Sequence, residues 1–239
     1  MDRAFADLAL AGASGIDGIQ LTPGNQPTAD FERVVAASGL AIRTHQGFTY
    51  RAFRTKDVWA DDGACLVASD SVHPPRAGTP AATGFLDRMG DASPILETMY
   101  PGYALADGAA LEAAMTRGLA LAVDVSHLYI QRTQGVLGDA TLARILDYDR
   151  IAEVHVSAND GRRDLHAPLT ETSFGLAWAR ERRAAGVPTI LECYFHRLLL
   201  DERRAQIDLV YGGPTWRMRR TRRQPRRNPR KLPRSTSAG

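Results

Sequence analysis

The sequence is poor in cysteine and has no long hydrophobic run. These two absences argue against a disulfide-rich secreted protein and against a membrane-spanning protein. Only two of its 239 residues are cysteine, Cys65 and Cys193, and they lie far apart in the chain. Such a pair does not form a disulfide framework, so a reduced, cytoplasmic setting is the expectation. No apolar segment approaches the ~18 residues of a membrane span, and the N-terminus lacks the pattern of a signal peptide. We therefore expect no interaction with a membrane.

Acidic residues are absent from the C-terminal segment 214–239, which contains ten Lys/Arg. The whole chain has a net charge of +3, but without this segment 20 basic residues face 27 acidic ones, a net charge of −7. We therefore predict an acidic domain over 1–213 and a disordered, Arg-rich tail over 214–239. The tail is either an attachment segment for nucleic acid or another anionic surface, or an appendage without a role. Nucleic acid is expected as a partner only through this tail.

Strand-like and helix-like segments alternate along the first 213 residues. The strand-like runs are continuously apolar, which is typical of a parallel sheet covered on both faces. The predicted strands are 15–23, 40–47, 64–75, 94–102, 119–127, 151–156 and 187–195. The predicted helices are 2–14, 30–38, 109–117, 141–146, 174–185 and 197–210.

This alternation predicts an α/β protein with a (β/α) TIM-type barrel. Imidazoles and carboxylates follow the C-terminal ends of successive strands, which is where barrel enzymes collect their functional groups. An open, doubly wound sheet would require a Gly-rich phosphate loop, and the sequence has none. Because residues 2–14 resemble the helix that precedes a second strand, we expect the first barrel strand to be absent or to be supplied in another way.

Nine side chains at these predicted strand ends are typical metal ligands, and they include five of the six histidines. Each has an ordinary structural explanation, but burying all of them without partners would be energetically expensive. Imidazoles and carboxylates without thiolates suit Fe, Zn or Mn. Nine ligands exceed the needs of one ion, so we expect two or three divalent ions that share carboxylates. The nine are His45, His73, Glu97, Asp124, His127, His155, Asp164, His166 and Glu192.

Three further residues are candidates for substrate binding. Arg162 and Arg163 lie in the loop that follows the strand of His155, where they could bind a phosphate or a carboxylate. Tyr129 follows another predicted strand, where an aromatic ring either shapes a pocket or packs in the core.

The ligand pattern resembles that of the xylose isomerase-like barrel superfamily over roughly residues 15–210. This group contains sugar isomerases and epimerases, endonuclease IV, and multinuclear non-haem iron enzymes that oxidatively modify peptides. In its mononuclear epimerases, the metal is held by residues that match Glu97, Asp124, His155 and Glu192. The Asp164-x-His166 motif and the upstream histidines are similar to the fuller sets of endonuclease IV and of the iron enzymes.

Local sequence adds to this resemblance. The stretches DVSHLYIQ (124–131), DLHAP (164–168) and GVPTILE (186–192) are similar to motifs of the peptide-modifying iron enzymes. IQLTPGN (19–25) and VHPP (72–75) are closer to the nuclease and epimerase side.

The resemblance therefore implies a metalloenzyme and leaves its reaction open. An iron-dependent oxidation of a peptide or small substrate is favoured, although His127 stands where the iron enzymes more usually have Asn. A sugar or sugar-phosphate isomerase would use Glu97 and Glu192 as its acid/base pair, with His155 beside them. An endonuclease IV-like phosphodiesterase must neutralise a phosphate backbone, for which an acidic domain is poorly suited. A degenerate barrel that only binds is the non-catalytic alternative.

Overall fold

The computed structural model describes residues 16–23, 28–47, 58–90 and 93–212. Within these ranges strands and helices alternate along the chain. The strands are β1 Gly18–Leu21, β2 Ala41–Thr44, β3 Ser71–Val72, β4 Ile95–Glu97, β5 Leu121–Asp124, β6 Ile151–Val156 and β7 Thr189–Leu191. The α-helices are α1 Ala29–Ala37, α2 Gly108–Thr116, α3 Val125–Thr133, α4 Asp139–Leu146, α5 Leu176–Ala184 and α6 Leu200–Tyr211.

All strand pairings between these elements are parallel and follow the order of the chain. Strands β3 to β7 form one five-stranded sheet, and β1 and β2 form a two-stranded sheet. A parallel bridge between His45 and Ser71 joins the two sheets. At this bridge the Gln46 amide donates to the Ser71 carbonyl (3.0 Å), and the Asp70 amide donates to the Thr44 carbonyl (3.1 Å). The predicted α/β class with a parallel sheet is therefore confirmed.

The strands curve around a common interior. In a flat sheet, β2 and β6 would be separated by about 19 Å, since neighbouring strands lie about 4.8 Å apart. Arg43 on β2 nevertheless contacts Glu153 on β6, with 2.5 Å between Nε and Oε2. This curvature is compatible with part of a β/α barrel. The described residues show no pairing between β7 and β1, so a closed barrel is not established.

The central strands are held by apolar burial. All four residues of β5 are buried, as are five of the six residues of β6. Leu111, Leu128, Ile145 and Leu176 contribute one buried side chain each from α2 to α5, and they belong to the same core cluster as these strands. Continuous apolar runs become strands here because helices cover them.

The segment 119–127 is not the single strand that its apolar run predicts. The Asp124 carboxylate accepts hydrogen bonds from the backbone amides of Ser126 (2.6 Å) and His127 (3.1 Å). This is the contact of a helix N-cap, so β5 ends at Asp124 and α3 begins at Val125. His127 consequently lies in the first turn of a helix and not at the end of a strand.

The predicted strand 64–75 also needs correction, because only Ser71–Val72 is extended and paired as a strand. Upstream, an antiparallel bridge joins Trp59 to Cys65 across a turn. Gly63, which directly precedes the predicted strand, has a positive φ of 82° in this turn, so Cys65 pairs back with Trp59 and does not extend β3.

The predicted helices that lie within the described ranges correspond to α1, α2, α4, α5 and α6. Each of them begins and ends within three residues of its predicted bounds. The predicted helix 2–14 and the predicted tail 214–239 lie outside the described residues. In the part of the chain that the structure describes, every helix is too short or too polar to cross a membrane.

Candidate metal centre

The nine predicted ligands converge at the C-terminal ends of the strands. Contacts between imidazole nitrogens and carboxylate oxygens, at 3.0–4.0 Å, join all nine into one network. Parallel strands bring side chains together in this way because their C-terminal ends meet at one edge of the sheet. The predicted convergence is therefore observed, although His127 reaches the network from α3.

Glu97, at the end of β4, lies at the centre of this network and is only 1% exposed. Its Oε2 is 3.1 Å from His45 Nε2 and 3.2 Å from His73 Nε2. Its Oε1 is 3.3 Å from His127 Nδ1 and 3.6 Å from His155 Nδ1. One buried carboxylate thus faces four of the five histidines.

Two groups of residues have the geometry of a metal site, and Glu97 belongs to both. In each group, the donor atoms lie within 4.8 Å of one another. A carboxylate has two oxygens, so Glu97 could bridge an ion in one group to an ion in the other. The first group is His45, His73 and Glu97, and the second is Glu97, Asp124, His155 and Glu192.

The remaining three ligands form a third set beside these groups. His127 Nε2 lies 3.5 Å from Asp164 Oδ2, and His166 Nε2 lies 3.0 Å from the same oxygen. His127 Nε2 also lies 3.5 Å from Asp124 Oδ2, which connects this set to the second group. The arrangement therefore offers donors for two ions and further donors near a third position.

Backbone carbonyls orient two of these imidazoles toward the carboxylates. His127 Nδ1 lies 2.9 Å from the carbonyl oxygen of Thr98, and His166 Nδ1 lies 3.0 Å from that of Glu192. A carbonyl can only accept, so Nδ1 of each ring is the donor. Each neutral ring then directs the lone pair of Nε2 toward Asp164, as a metal ligand requires.

Several buried polar atoms of the network form no hydrogen bond with the protein. Glu97 Oε2 is one of them, although the Nε2 atoms of His45 and His73 lie within 3.2 Å of it. Leaving such atoms unsatisfied is costly, and a divalent cation would compensate them. The orphaned atoms are Glu97 Oε2, Asp124 Oδ2, His127 Nε2, His155 Nδ1 and Asp164 Oδ1. These donors fit a metal ion.

The electrostatics of the cluster also favour a cation. Burial alone would lower the pKa of His155, but the carboxylates of Glu192 and Glu97 outweigh burial and raise it well above its usual value. Burial alone would raise the pKa of Glu97, but the imidazoles of His73 and His155 hold it well below its usual value. Burial raises the pKa of Asp124 to about 6. The carboxylates thus create a negative potential at the centre of the network. Protons on imidazoles compensate this potential, and a metal ion could compensate it instead.

The three predicted substrate-binding residues lie apart from this network. Arg162 and Arg163 are exposed, and the Asp160 carboxylate accepts hydrogen bonds from both of their backbone amides at 2.9 Å. The ring of Tyr129, on α3, stacks on Phe174 with 5.4 Å between the ring centroids.

Two other tyrosines lie directly against the histidines. The ring of Tyr100 is 4.9 Å from that of His127, and the ring of Tyr103 is 5.9 Å from that of His73. The Arg76 guanidinium lies over Tyr103, 4.9 Å from its centroid. Burial raises the pKa of Tyr100 to about 12, so its hydroxyl remains a donor at neutral pH.

The sequence prediction missed Glu153, which lies beneath the ligands and is completely buried. Its carboxylate contacts Gln20, Arg43, Ser71 and His155 from four different strands. One feature of the sequence could have identified Glu153. It lies two residues before His155 on the same strand, and alternate residues of a strand point to the same side of the sheet.

A cleft of about 1090 Å³ separates β1 from β7. Ile19 and Thr22 line one side, and Ile190 and Cys193 line the other. Glu192 also lines this cleft, so it reaches the metal-ligand network from the side. The volume of the cleft is sufficient for a small molecule or for several residues of a peptide.

Comparisons of the chain with protein-family models, with curated proteins and with solved structures found no match.

Proposed function

We propose that the protein is a barrel metalloenzyme of the xylose isomerase-like type with a carboxylate-bridged centre of two or three metal ions. The reaction that we propose is the iron-dependent oxidation of a peptide or small substrate. The observation that carries this proposal is the position of Glu97, which belongs to two donor groups at once. A protein that binds a single ion has no need for such a bridge.

The number of donors supports more than one ion. The second group already supplies four ligands, which is enough for one metal ion with open positions. His45 and His73 then add two buried or half-buried imidazoles on the far side of Glu97. A mononuclear isomerase would leave these two histidines without a role.

Charge balance supports the same stoichiometry. Four carboxylates, those of Glu97, Asp124, Asp164 and Glu192, face the histidines within the network. Two divalent ions would neutralise these four negative charges. A third ion would leave an excess of positive charge, which favours an anionic ligand or substrate at the centre.

The donor atoms and the residues around them are suited to oxidative chemistry. A set of imidazoles and carboxylates without a thiolate would suit Fe(II), and bound iron would pass electrons from the substrate to O₂, which is reduced as the substrate is oxidised. Tyr100 and Tyr103 pack their rings against His127 and His73. The Tyr100 hydroxyl is protonated at neutral pH and could donate to a substrate. The cleft beside Glu192 gives the substrate a path to the centre.

One specific observation favours a second function. Glu97, Asp124, His155 and Glu192 by themselves match the ligand set of mononuclear sugar epimerases. In that case a single Mn or Co ion would bind a hydroxy-ketone, and Glu97 and Glu192 would transfer its protons. The number of bound ions separates the two functions.

The test is the metal content per chain of protein purified without added metal or chelator. Two or three ions, with iron among them, are expected, together with O₂ consumption when a substrate is supplied. Zinc at this stoichiometry, without O₂ consumption, would indicate a phosphodiesterase instead. A single Mn or Co ion would favour the isomerase, and no ion even after reconstitution would contradict all of these proposals.

A matched pair of histidine variants sharpens this test. His155→Ala removes a buried ligand of the second group, and we expect it to lose at least one ion and all activity. His196→Ala removes an exposed histidine outside the network and should retain the metal content of the wild type. Equal metal content in the two variants would contradict the assignment of His155.

A further inference from the structure

Glu153 connects four strands through one buried carboxylate. Its Oε1 lies 2.6 Å from Gln20 Nε2, 3.0 Å from Ser71 Oγ and 2.5 Å from His155 Nε2. Its Oε2 lies 2.5 Å from Arg43 Nε. The guanidinium provides the opposite charge, so the carboxylate is ionised and can only accept hydrogen bonds.

These contacts determine the direction of each hydrogen bond. Since Glu153 only accepts, His155 Nε2 must carry a proton, and the hydroxyl proton of Ser71 must point to Glu153. Ser71 Oγ also lies 2.9 Å from His45 Nδ1. Its only proton is already used, so it must accept from His45 Nδ1.

The same constraints determine the tautomers of two candidate ligands. Neutral His45 then has its lone pair on Nε2, which faces Glu97 Oε2 at 3.1 Å. Neutral His155 has its lone pair on Nδ1, which faces Glu192 Oε1 at 3.1 Å. His45 belongs to the first donor group and His155 belongs to the second.

We propose that Glu153 is a positioning residue that sets the tautomers of His45 and His155 and thereby couples the assembly of the two metal positions. It acts directly on His155 and through Ser71 on His45. The proposal rests on the metal centre proposed above. When a ligating imidazole is held through its second nitrogen by a hydrogen-bond partner, mutation of that partner typically lowers metal affinity by about 10- to 100-fold.

A purely structural role for Glu153 makes a different prediction. Its contacts also join the two-stranded sheet to β6, so removing any of them should lower thermal stability. Gln20 Nε2 also lies 3.5 Å from His155 Nε2, but both atoms are donors, so this contact sets no tautomer. A structural cross-link would not distinguish Ser71, which accepts from His45, from Gln20, which accepts from no candidate ligand. Metal affinity, measured separately for each binding step, therefore separates positioning from cross-linking.

The experiment is a calorimetric and visible-absorption titration of the metal-free full-length protein with Co(II). We expect Ser71→Ala to weaken one binding step by about 10-fold or more and to leave the other within about 2-fold of wild type. Gln20→Leu, the matched control, loses a hydrogen bond to Glu153 without changing the tautomer of His45 or His155, and it should leave both steps within about 2-fold of wild type.

A third variant tests the coupling itself. In Glu153→Gln the amide directs its NH₂ group either at Arg43 or at His155 and Ser71, and the remaining oxygen is a weaker, uncharged acceptor. We therefore expect both binding steps to weaken by about 10-fold or more. Histidine ¹⁵N spectra of the Zn-loaded protein should show coordination through Nε2 of His45 and Nδ1 of His155 in the wild type.

The outcomes separate this inference from the proposed function. A wild type that binds two or more ions, with Ser71→Ala and Glu153→Gln titrating like Gln20→Leu, would overturn the role of Glu153 and leave the metal centre intact. A wild type that binds no Co(II) would overturn both. Coordination of His45 through Nδ1 would also contradict the inference.

Discussion

The two sheets of this protein are held in place by different forces. Strands β5 and β6 of the five-stranded sheet are almost entirely buried among apolar side chains. In the two-stranded sheet, only Leu21 is buried, and Ile42 is 39% exposed. The smaller sheet contacts the larger one through the polar side chains around Glu153 and through the bridge at His45.

This difference matters for the proposed metal centre because both sheets supply candidate ligands. Glu97, Asp124 and His155 come from strands that the apolar core holds, whereas His45 follows β2. The first donor group therefore depends on a polar junction, and the second depends on the core. Buried polar contacts specify geometry well only when all of their members are satisfied, so the junction is the more sensitive of the two.

The largest effect is expected from a ligand that both donor groups share. Glu97→Gln removes the charge of the bridging carboxylate, so we expect loss of at least two ions and of all activity. His45→Ala removes a ligand of the first group only and should lose one ion. Elemental analysis of both variants measures this difference, and equal losses would contradict the bridging role of Glu97.

The next effect concerns stability. Leu121→Ala on β5 leaves a cavity in a fully buried site, and we expect it to reduce the free energy of unfolding by about 2–5 kcal/mol. Ile42→Ala on β2 removes a side chain that is already 39% exposed, so a loss below about 1 kcal/mol is expected. Urea denaturation of the metal-free variants provides both values. A larger loss of unfolding free energy for Ile42→Ala than for Leu121→Ala would mean that apolar burial stabilises the two-stranded sheet more than the five-stranded one.

Metal affinity should increase with pH, because the pKa values of His127, His155 and His166 are raised and these imidazoles hold protons in the metal-free site. Burial alone would lower the pKa of His166, but the Asp164 carboxylate outweighs it and raises the pKa to about 9. Below this pH the metal must displace a proton, so affinity should fall by about tenfold per pH unit for each proton released. Co(II) titrations between about pH 6.5 and about pH 8.5 measure this slope. An affinity independent of pH would mean that the metal does not bind at these histidines.

The smallest effect concerns the cleft between the two sheets. Cys193 lines this cleft but is only 5% exposed, and burial raises the pKa of its thiol to about 12. Cys65 is partly exposed and lies outside the cleft. Because thiol reagents require an accessible thiolate, we expect iodoacetamide to modify Cys65 well before Cys193 at pH about 8. Mass spectrometry of the labelled peptides checks the order, and rapid labelling of Cys193 would indicate that the cleft opens.

The sequence predicted strand positions correctly where a continuous apolar run corresponds to a buried strand. Continuous apolar runs predicted the positions of β4 to β7. The imidazoles and carboxylates at or after the ends of predicted strands, from His45 to Glu192, predicted the convergence of nine candidate ligands. These predictions succeed because a parallel sheet aligns the ends of its strands, whatever the details of side-chain packing. They fail at Asp124, where a side-chain cap begins a helix inside an apolar run and places His127 on α3.

The sequence by itself determined the alternation of strands and helices and the type of ligand at each strand end, since both follow from local patterns of polarity. Only the tertiary structure decided how the ligands divide into groups and that Glu97 belongs to two of them. It also identified Glu153, whose partners Gln20 and Arg43 are more than 100 residues away in the chain. Contacts of this kind depend on how far the sheet curves, and curvature is a property of the assembled strands that no single segment contains.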